Sequence, residues 1–158
     1  IYITSSDNYD YSQEIWRGGD KTILVNVAMA SAKYIRLPEA TTSNKGLHIK
    51  VIYGLAPAAA TYVGFATSVI VGGATSISDA TEGACTAAPA LKSSASGTSN
   101  LRVELDVDAA AKAGGHPGTV LEFWYPGVAN VVMYRGSLIG DVDTPTLASH
   151  FSTTAVNA

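Results

Sequence analysis

The sequence predicts an all-β fold, a β-sandwich or jelly-roll-like barrel with extended N- and C-terminal arms. Three observations predict it. Short runs rich in β-branched and aromatic residues alternate with a period of two, clusters of Gly, Pro, Asn and Ser punctuate them, and no 3.6-residue apolar period persists. The most ordered stretch is Gly118 to Gly136, read as a β-hairpin whose Pro126-Gly127 pair suits a type II turn. Leu121, Phe123 and Tyr125 share one face of its first arm, and Val120, Glu122 and Trp124 share the other. With both faces largely apolar, the hairpin belongs at the centre of a sandwich or has one face covered by a partner.

The boundaries expected are an N-terminal arm at 1–20, a β-sandwich domain at 21–140 and a C-terminal arm at 141–158. Residues 1–20 are polar but carry Tyr2, Tyr9, Tyr11 and Trp16, amphipathic rings suited to docking on a neighbour; an ordinary edge strand ending at Gly18-Gly19-Asp20 is the alternative. Lys21 to Ala30 reads as a strand with Ile23, Val25, Val27 and Met29 on one face, and Tyr34 to Pro38 as a short strand stopped by proline. After a loop of breakers from Glu39 to Gly46, Leu47 to Tyr53 gives the cleanest half-buried strand, alternating Leu47, Ile49, Val51 and Tyr53 with His48, Lys50 and Ile52. Thr61 to Val71 supplies one long or two short strands, with Thr75 to Ser78 a further candidate, and 84–98 reads as a loop or edge insertion. Asn100 to Asp108 alternates again, with Leu101, Val103, Leu105 and Val107 inward and Arg102, Glu104, Asp106 and Asp108 outward. Asp108 can cap a single helical turn, Ala109 to Ala113, closed by Gly114-Gly115. Ser137 to Ile139 extends the hairpin's second arm, and the tail holds Leu147 and Phe151 as its few apolar anchors.

Composition narrows the functional classes. The chain has 158 residues, enough for one domain with its own core, but much of its 47% hydrophobic content is Ala, with three Phe, two Trp and two Met. Charged residues are 15%, well below the ~25% of an ordinary domain, so Ser, Thr, Gly, Asn and Ala must cover much of the surface. A net charge of -3 with no Lys/Arg cluster argues against nucleic acid as a partner. There is no run of eighteen apolar residues and no basic stretch leading into an apolar one, so neither a membrane partner nor a signal segment is expected. The single cysteine, Cys85, excludes an intrachain disulfide and a cysteine-built zinc site.

No catalytic, cofactor or metal site is expected. Glu104, Asp106 and Asp108, with Asp141 and Asp143 elsewhere, offer hard oxygen ligands without the spacing of an EF-hand, and read as a solvated strand face. His48, His116 and His150 lie in three segments with no HxH or HExxH spacing, and Gly136-Ser-Leu-Ile-Gly140 does not match a nucleophile elbow. Trp16, Tyr53, Tyr62, Trp124, Tyr125 and Tyr134 can serve either packing or a sugar-stacking platform.

Tyr34-Ile-Arg-Leu-Pro38, the Ser/Thr/Asn loop ending at Gly46, the alternating strand after it, Thr75-Ser-Ile-Ser-Asp-Ala-Thr-Glu-Gly83, and the Gly118-Thr-Val-Leu-Glu-Phe strand with its aromatic hairpin together form a pattern. Spanning about 34 to 136, it resembles the small β-rich domains of tailed-phage capsid decoration (cement) proteins and head or tail fibres. In that pattern a Trp follows the hairpin, whereas here Trp124 precedes the turn and Tyr134 follows it. The resemblance implies a non-enzymatic virion protein on the capsid exterior, a homotrimer that bridges subunits of the major capsid protein through its arms and hairpin face. The interface residues expected are Tyr2, Tyr9, Tyr11, Trp16, Trp124, Tyr125 and Phe151. A carbohydrate- or receptor-binding β-sandwich of a viral fibre or adhesin is the alternative, for which a solvent-exposed Trp or Tyr beside Asp or Asn is the mark. A hydrolase with a site converging from distant segments is the third reading.

Overall fold

The computed structural model describes residues 1–79, 90–91, 100–106, 114–140 and 150–156. The fold is all-β and sandwich-like. In chain order the strands are β1 (Tyr2–Ile3), β2 (Tyr9–Asp10), β3 (Gly19–Val25), β4 (Tyr34–Arg36), β5 (Leu47–Tyr53), β6 (Thr61–Gly64), β7 (Val69–Asp79), β8 (Ala90–Leu91), β9 (Arg102–Leu105), β10 (Val120–Trp124), β11 (Val131–Gly140) and β12 (Phe151–Ser152). Among the described residues, helix is limited to one 3-10 turn at Thr42–Asn44. A seven-stranded sheet runs β1-β3-β5-β10-β11-β7-β8 and a five-stranded sheet runs β12-β9-β6-β4-β2.

Successive strands from β1 to β7 switch sheets at every step, and each of β3 to β6 pairs in parallel with the strand two places before it. This gives β1, β3 and β5 side by side in one sheet and β2, β4 and β6 in the other. Such a path needs no helical crossover, because the opposite sheet carries the return. The antiparallel hairpin β10–β11 then closes onto β5, with Leu121 opposite Val51 and Phe123 opposite Ile49, and puts β10 at the centre of the larger sheet.

Period-two alternation decides what fills the space between the sheets. Ile23, Val25, Ile49, Val51, Leu121, Phe123 and Val132 come from the larger sheet, and Ile35, Val63, Val103 and Leu105 from the smaller; all are fully buried. Three Phe and two Tyr bridge the layers. Phe65 meets Phe123 edge-on at 5.8 Å and Tyr125 at 6.4 Å, while Tyr134 lies 5.3 Å from Phe123 and 5.2 Å from Phe151. On β11 the Tyr134 hydroxyl folds over Gly136 into the space a Cβ would occupy, so that strand position requires glycine.

Several expectations are met and several are corrected. Leu47–Tyr53 alternates as read, and β11 runs on through Ser137–Ile139. The hairpin forms, but its connection is longer than a two-residue turn. Gly127 has the positive φ of +85° expected of it, yet the chain closes through Val131 N donating to Val128 O, with Asn130 at φ +59°. Residues 1–20 do not stand off as an arm: β1 and β2 are edge strands of the molecule's own two sheets, and Ile3 is fully buried. The described part of the tail also belongs to the sandwich, since β12 pairs with β9 and Val156 is buried. Glu104 points away from the core as expected but is not solvated; it is 5% exposed, and Arg102 Nε donates to its Oε1 at 2.8 Å while the guanidinium lies 4.0 Å over the Tyr62 ring. The helical turn at 109–113, the 84–98 segment, Cys85, Val107, Asp108, Asp141, Asp143 and Leu147 lie outside the described residues wholly or in the greater part.

Removing the central bridging ring should be costly. Phe123→Ala is expected to lower unfolding stability by about 3–5 kcal/mol, and Met133→Ala, on the outer face of the same sheet, by less than ~1 kcal/mol, measured by urea denaturation.

Candidate functional site

Two surfaces combine aromatic and ionisable side chains. The first is the outer face of the seven-stranded sheet. Register lays its residues in rows: Tyr2, Leu24, Ile52 and Val120 form one, Thr22, Lys50, Glu122 and Arg135 the next, and Asp20, His48, Trp124 and Met133 the third. The first row is apolar from β1 to β10 and ends at Ser137 on β11. Tyr2 is 75% exposed and Met133 49%, while Leu24, Ile52, Val120 and Trp124 are half-buried. In the third row the His48 imidazole stacks on the Trp124 indole, with centroids 4.7 Å apart and rings 4° from parallel. His48 Nδ1 donates to Asp20 Oδ1 at 3.0 Å, and Nε2 stands 3.3 Å from Glu122 Oε1 without hydrogen-bond alignment. Lys50 Nζ shares that carboxylate at 3.6 Å.

This arrangement holds the His48 ring between two carboxylates and against the Trp124 indole. Both nitrogens face carboxylates, which approach from opposite edges of the ring and so cannot converge on one cation. Among the described residues no group of three or more His, Cys, Asp or Glu side chains is placed to hold a metal ion, and no helix is long and apolar enough to cross a membrane.

The second surface is a cleft of about 560 Å³ between residues 12–17 and 38–44. Its outer wall is a bow in the chain pinned at both ends, where Tyr11 N donates to Arg36 O at 2.9 Å and Gly19 N to Gly46 O at 3.1 Å. Asp10 and Arg36 add an ion pair at 3.3 Å. Tyr9, Tyr11 and Trp16 stack in sequence along the bow, Tyr11 and Trp16 at 5.3 Å.

The inner wall is held by a half-buried carboxylate. Glu39 accepts five hydrogen bonds, from Ala66 N, Thr67 N and Oγ1, and Ser68 N and Oγ, at 2.7–3.2 Å. Burial alone would raise its pKa, but these donations, led by the Ser68 hydroxyl, outweigh it and hold the carboxyl below its ordinary value. Around it, Tyr125 Oη donates to Pro38 O at 2.9 Å, Asn44 Nδ2 to Glu39 O at 2.9 Å, and Thr41 N to Asn44 Oδ1 at 2.9 Å. Desolvation pushes the Tyr125 hydroxyl well up, with the nearby Glu39 charge adding to the effect, so it remains a donor.

The expected interface residues therefore separate. Tyr2 and Trp124 share the outer sheet face; Tyr9, Tyr11 and Trp16 line up along the bow; Phe151 packs on Tyr134 at the sandwich edge. Tyr125 is corrected: at 2% exposure it is a core residue that ties β10 to Pro38 and is not available at the protomer surface. His48, Asp20, Lys50 and Glu122 were not singled out as a cluster, because their meeting depends on strand register. Comparison with known proteins returns no matching family model, no matching curated protein and no matching solved structure.

Glu39 makes an acid-sensitive strut. A carboxylate with a depressed native pKa contributes stability that is fully present above its unfolded value and lost as pH falls through the native one. Glu39→Gln should cost about 1–2 kcal/mol at pH 7, and the gap from wild type should close as pH falls below the ordinary value of 4.5, followed by thermal unfolding against pH.

Proposed function

We propose that this chain is a non-catalytic structural protein of a virion, of the capsid-decoration type, which acts as a homotrimer on the exterior of the shell and bridges subunits of the major capsid protein. One observation supports it above others: the outer face of the larger sheet carries an apolar row, Tyr2, Leu24, Ile52 and Val120, with Trp124 and the exposed Met133 forming a second apolar spot beyond the charged row. A solvated face of this mixed sheet would carry polar residues at these positions. Apolar area of this kind contributes ~25 cal/mol per Å² when covered, although association itself consumes several kcal/mol, so an isolated contact is weak and a contact repeated over a closed shell is not. The low charge of the chain suits close packing of copies.

The proposal relocates the contact surface. Residues 1–20 are engaged with their own sandwich, so the surface through which copies assemble is assigned here to the sheet face, with Tyr2 and Trp124 in it, rather than to free arms. Catalysis is not part of the reading, because His48 is locked between carboxylates and the Glu39 carboxylate is saturated by donors.

Light scattering at tens of micromolar checks this. The wild type should have the mass of three 16.3 kDa chains. Ile52→Glu, in the centre of the apolar row, should yield a folded monomer whose far-UV spectrum is unchanged. A wild-type monomer, or a trimer indifferent to Ile52→Glu, contradicts the proposal.

A further inference from the structure

We propose that the cleft between residues 12–17 and 38–44 is a binding site for a neutral carbohydrate. Its size falls in the ~300–1,000 Å³ range of small-molecule sites. One wall offers part of the Trp16 indole, a half-buried ring that packs on the core and lies 5.3 Å from Tyr11, so it is fixed before any ligand arrives. Next to it Ile15 is 84% exposed, an apolar ledge that nothing among the described residues covers. An aromatic plane with an aliphatic edge suits the C–H face of a pyranose.

Polar groups complete the match. Glu14 and Arg17 line the cleft and make no side-chain hydrogen bond or ion pair among the described residues. They stand with Ser43 as free donors and acceptors of the kind that vicinal hydroxyls bridge. The opposite wall is already rigid, since Glu39, Asn44 and Pro38 are committed to internal hydrogen bonds, so a ligand need not order it.

Charge decides the class of sugar. Two carboxylates, Glu14 and Glu39, face one guanidinium, Arg17, which disfavours an acidic sugar and leaves a neutral one. The same inventory excludes cleavage. Glycoside hydrolysis needs two working carboxyl groups, one as acid and one as base or nucleophile. Glu39 accepts five hydrogen bonds and is held ionised, so it can neither donate a proton nor attack, and Glu14 is left alone. The cleft binds and does not turn over. This inference is independent of the assembly proposal, which uses the outer sheet face.

The test is a printed array of neutral plant, bacterial and animal oligosaccharides with sialylated and sulfated glycans as acidic controls. Hits would be followed by calorimetric titration of the full chain. Neutral glycans should bind, Trp16→Ala should weaken the best hit about tenfold or more, and Trp16→Phe should recover part of the loss. Thermal unfolding of each variant separates lost binding from lost folding. Absence of any neutral hit, preference for acidic glycans, affinity indifferent to Trp16→Ala in a folded variant, or hydrolysis of the bound sugar each overturns the proposal. So does dependence of the bow on a second copy of the chain, seen as Ile15→Ser dissociating the oligomer.

Discussion

The structure depends on how an alanine-rich chain concentrates its few large side chains. All three phenylalanines, with Tyr125 and Tyr134, form one cluster that spans both sheets. Alanine at a core position removes little area from water, so the bridging rings supply burial that the remaining sequence cannot. Their positions are set by parity: Phe123 and Tyr125 follow Leu121 at intervals of two, and Tyr134 lies directly opposite Phe123. A one-residue slip of the hairpin would send Phe123 and Tyr125 outward and bring Glu122 and Trp124 in. Register is therefore over-determined at the centre of the larger sheet, and the outer-face rows inherit their order from it.

The alternating path from β1 to β7 has a further consequence. Because each strand returns through the opposite sheet, the connections cluster at the rims of the sandwich, and two of them form the walls of the cleft. The 38–44 connection is braced from within by Glu39, whose carboxylate fills a ring of backbone and hydroxyl donors at 66–68 in the way a bound anion would. The 11–18 connection is tied at its ends, rests its half-buried Tyr11 and Trp16 rings on the core, and presents Ile15 outward. A rigid wall facing an open bow is a geometry that the fold itself creates, before any ligand is considered.

The fold class was legible in the sequence because alternation is local. Leu47 to Tyr53 could be read without its neighbours, as could the inward face of 101–105. What was not legible depended on pairing partners. His48 and Trp124 are 76 positions apart and stack only because β5 and β10 adjoin in register. Residues 1–20 read as an arm because they are polar; backbone pairing to β3 and β4, which composition does not report, holds them down. Glu104 had the correct face but not its environment, since the Arg102 side chain that covers it on the same strand is itself held over Tyr62. Tyr125 was readable as core from its parity with Leu121 and Phe123, and its aromatic ring drew it wrongly into the expected interface.

Assembly through the outer sheet face, leaving the rim cleft open, is the central claim. Hydroxyl-radical footprinting across a dilution series reads both surfaces in one experiment. Tyr2, Trp124 and Met133 should become protected as concentration rises, while Trp16 keeps its reactivity. Protection of Trp16 with Tyr2 and Met133 unchanged would contradict the account and move the assembly surface to the bow.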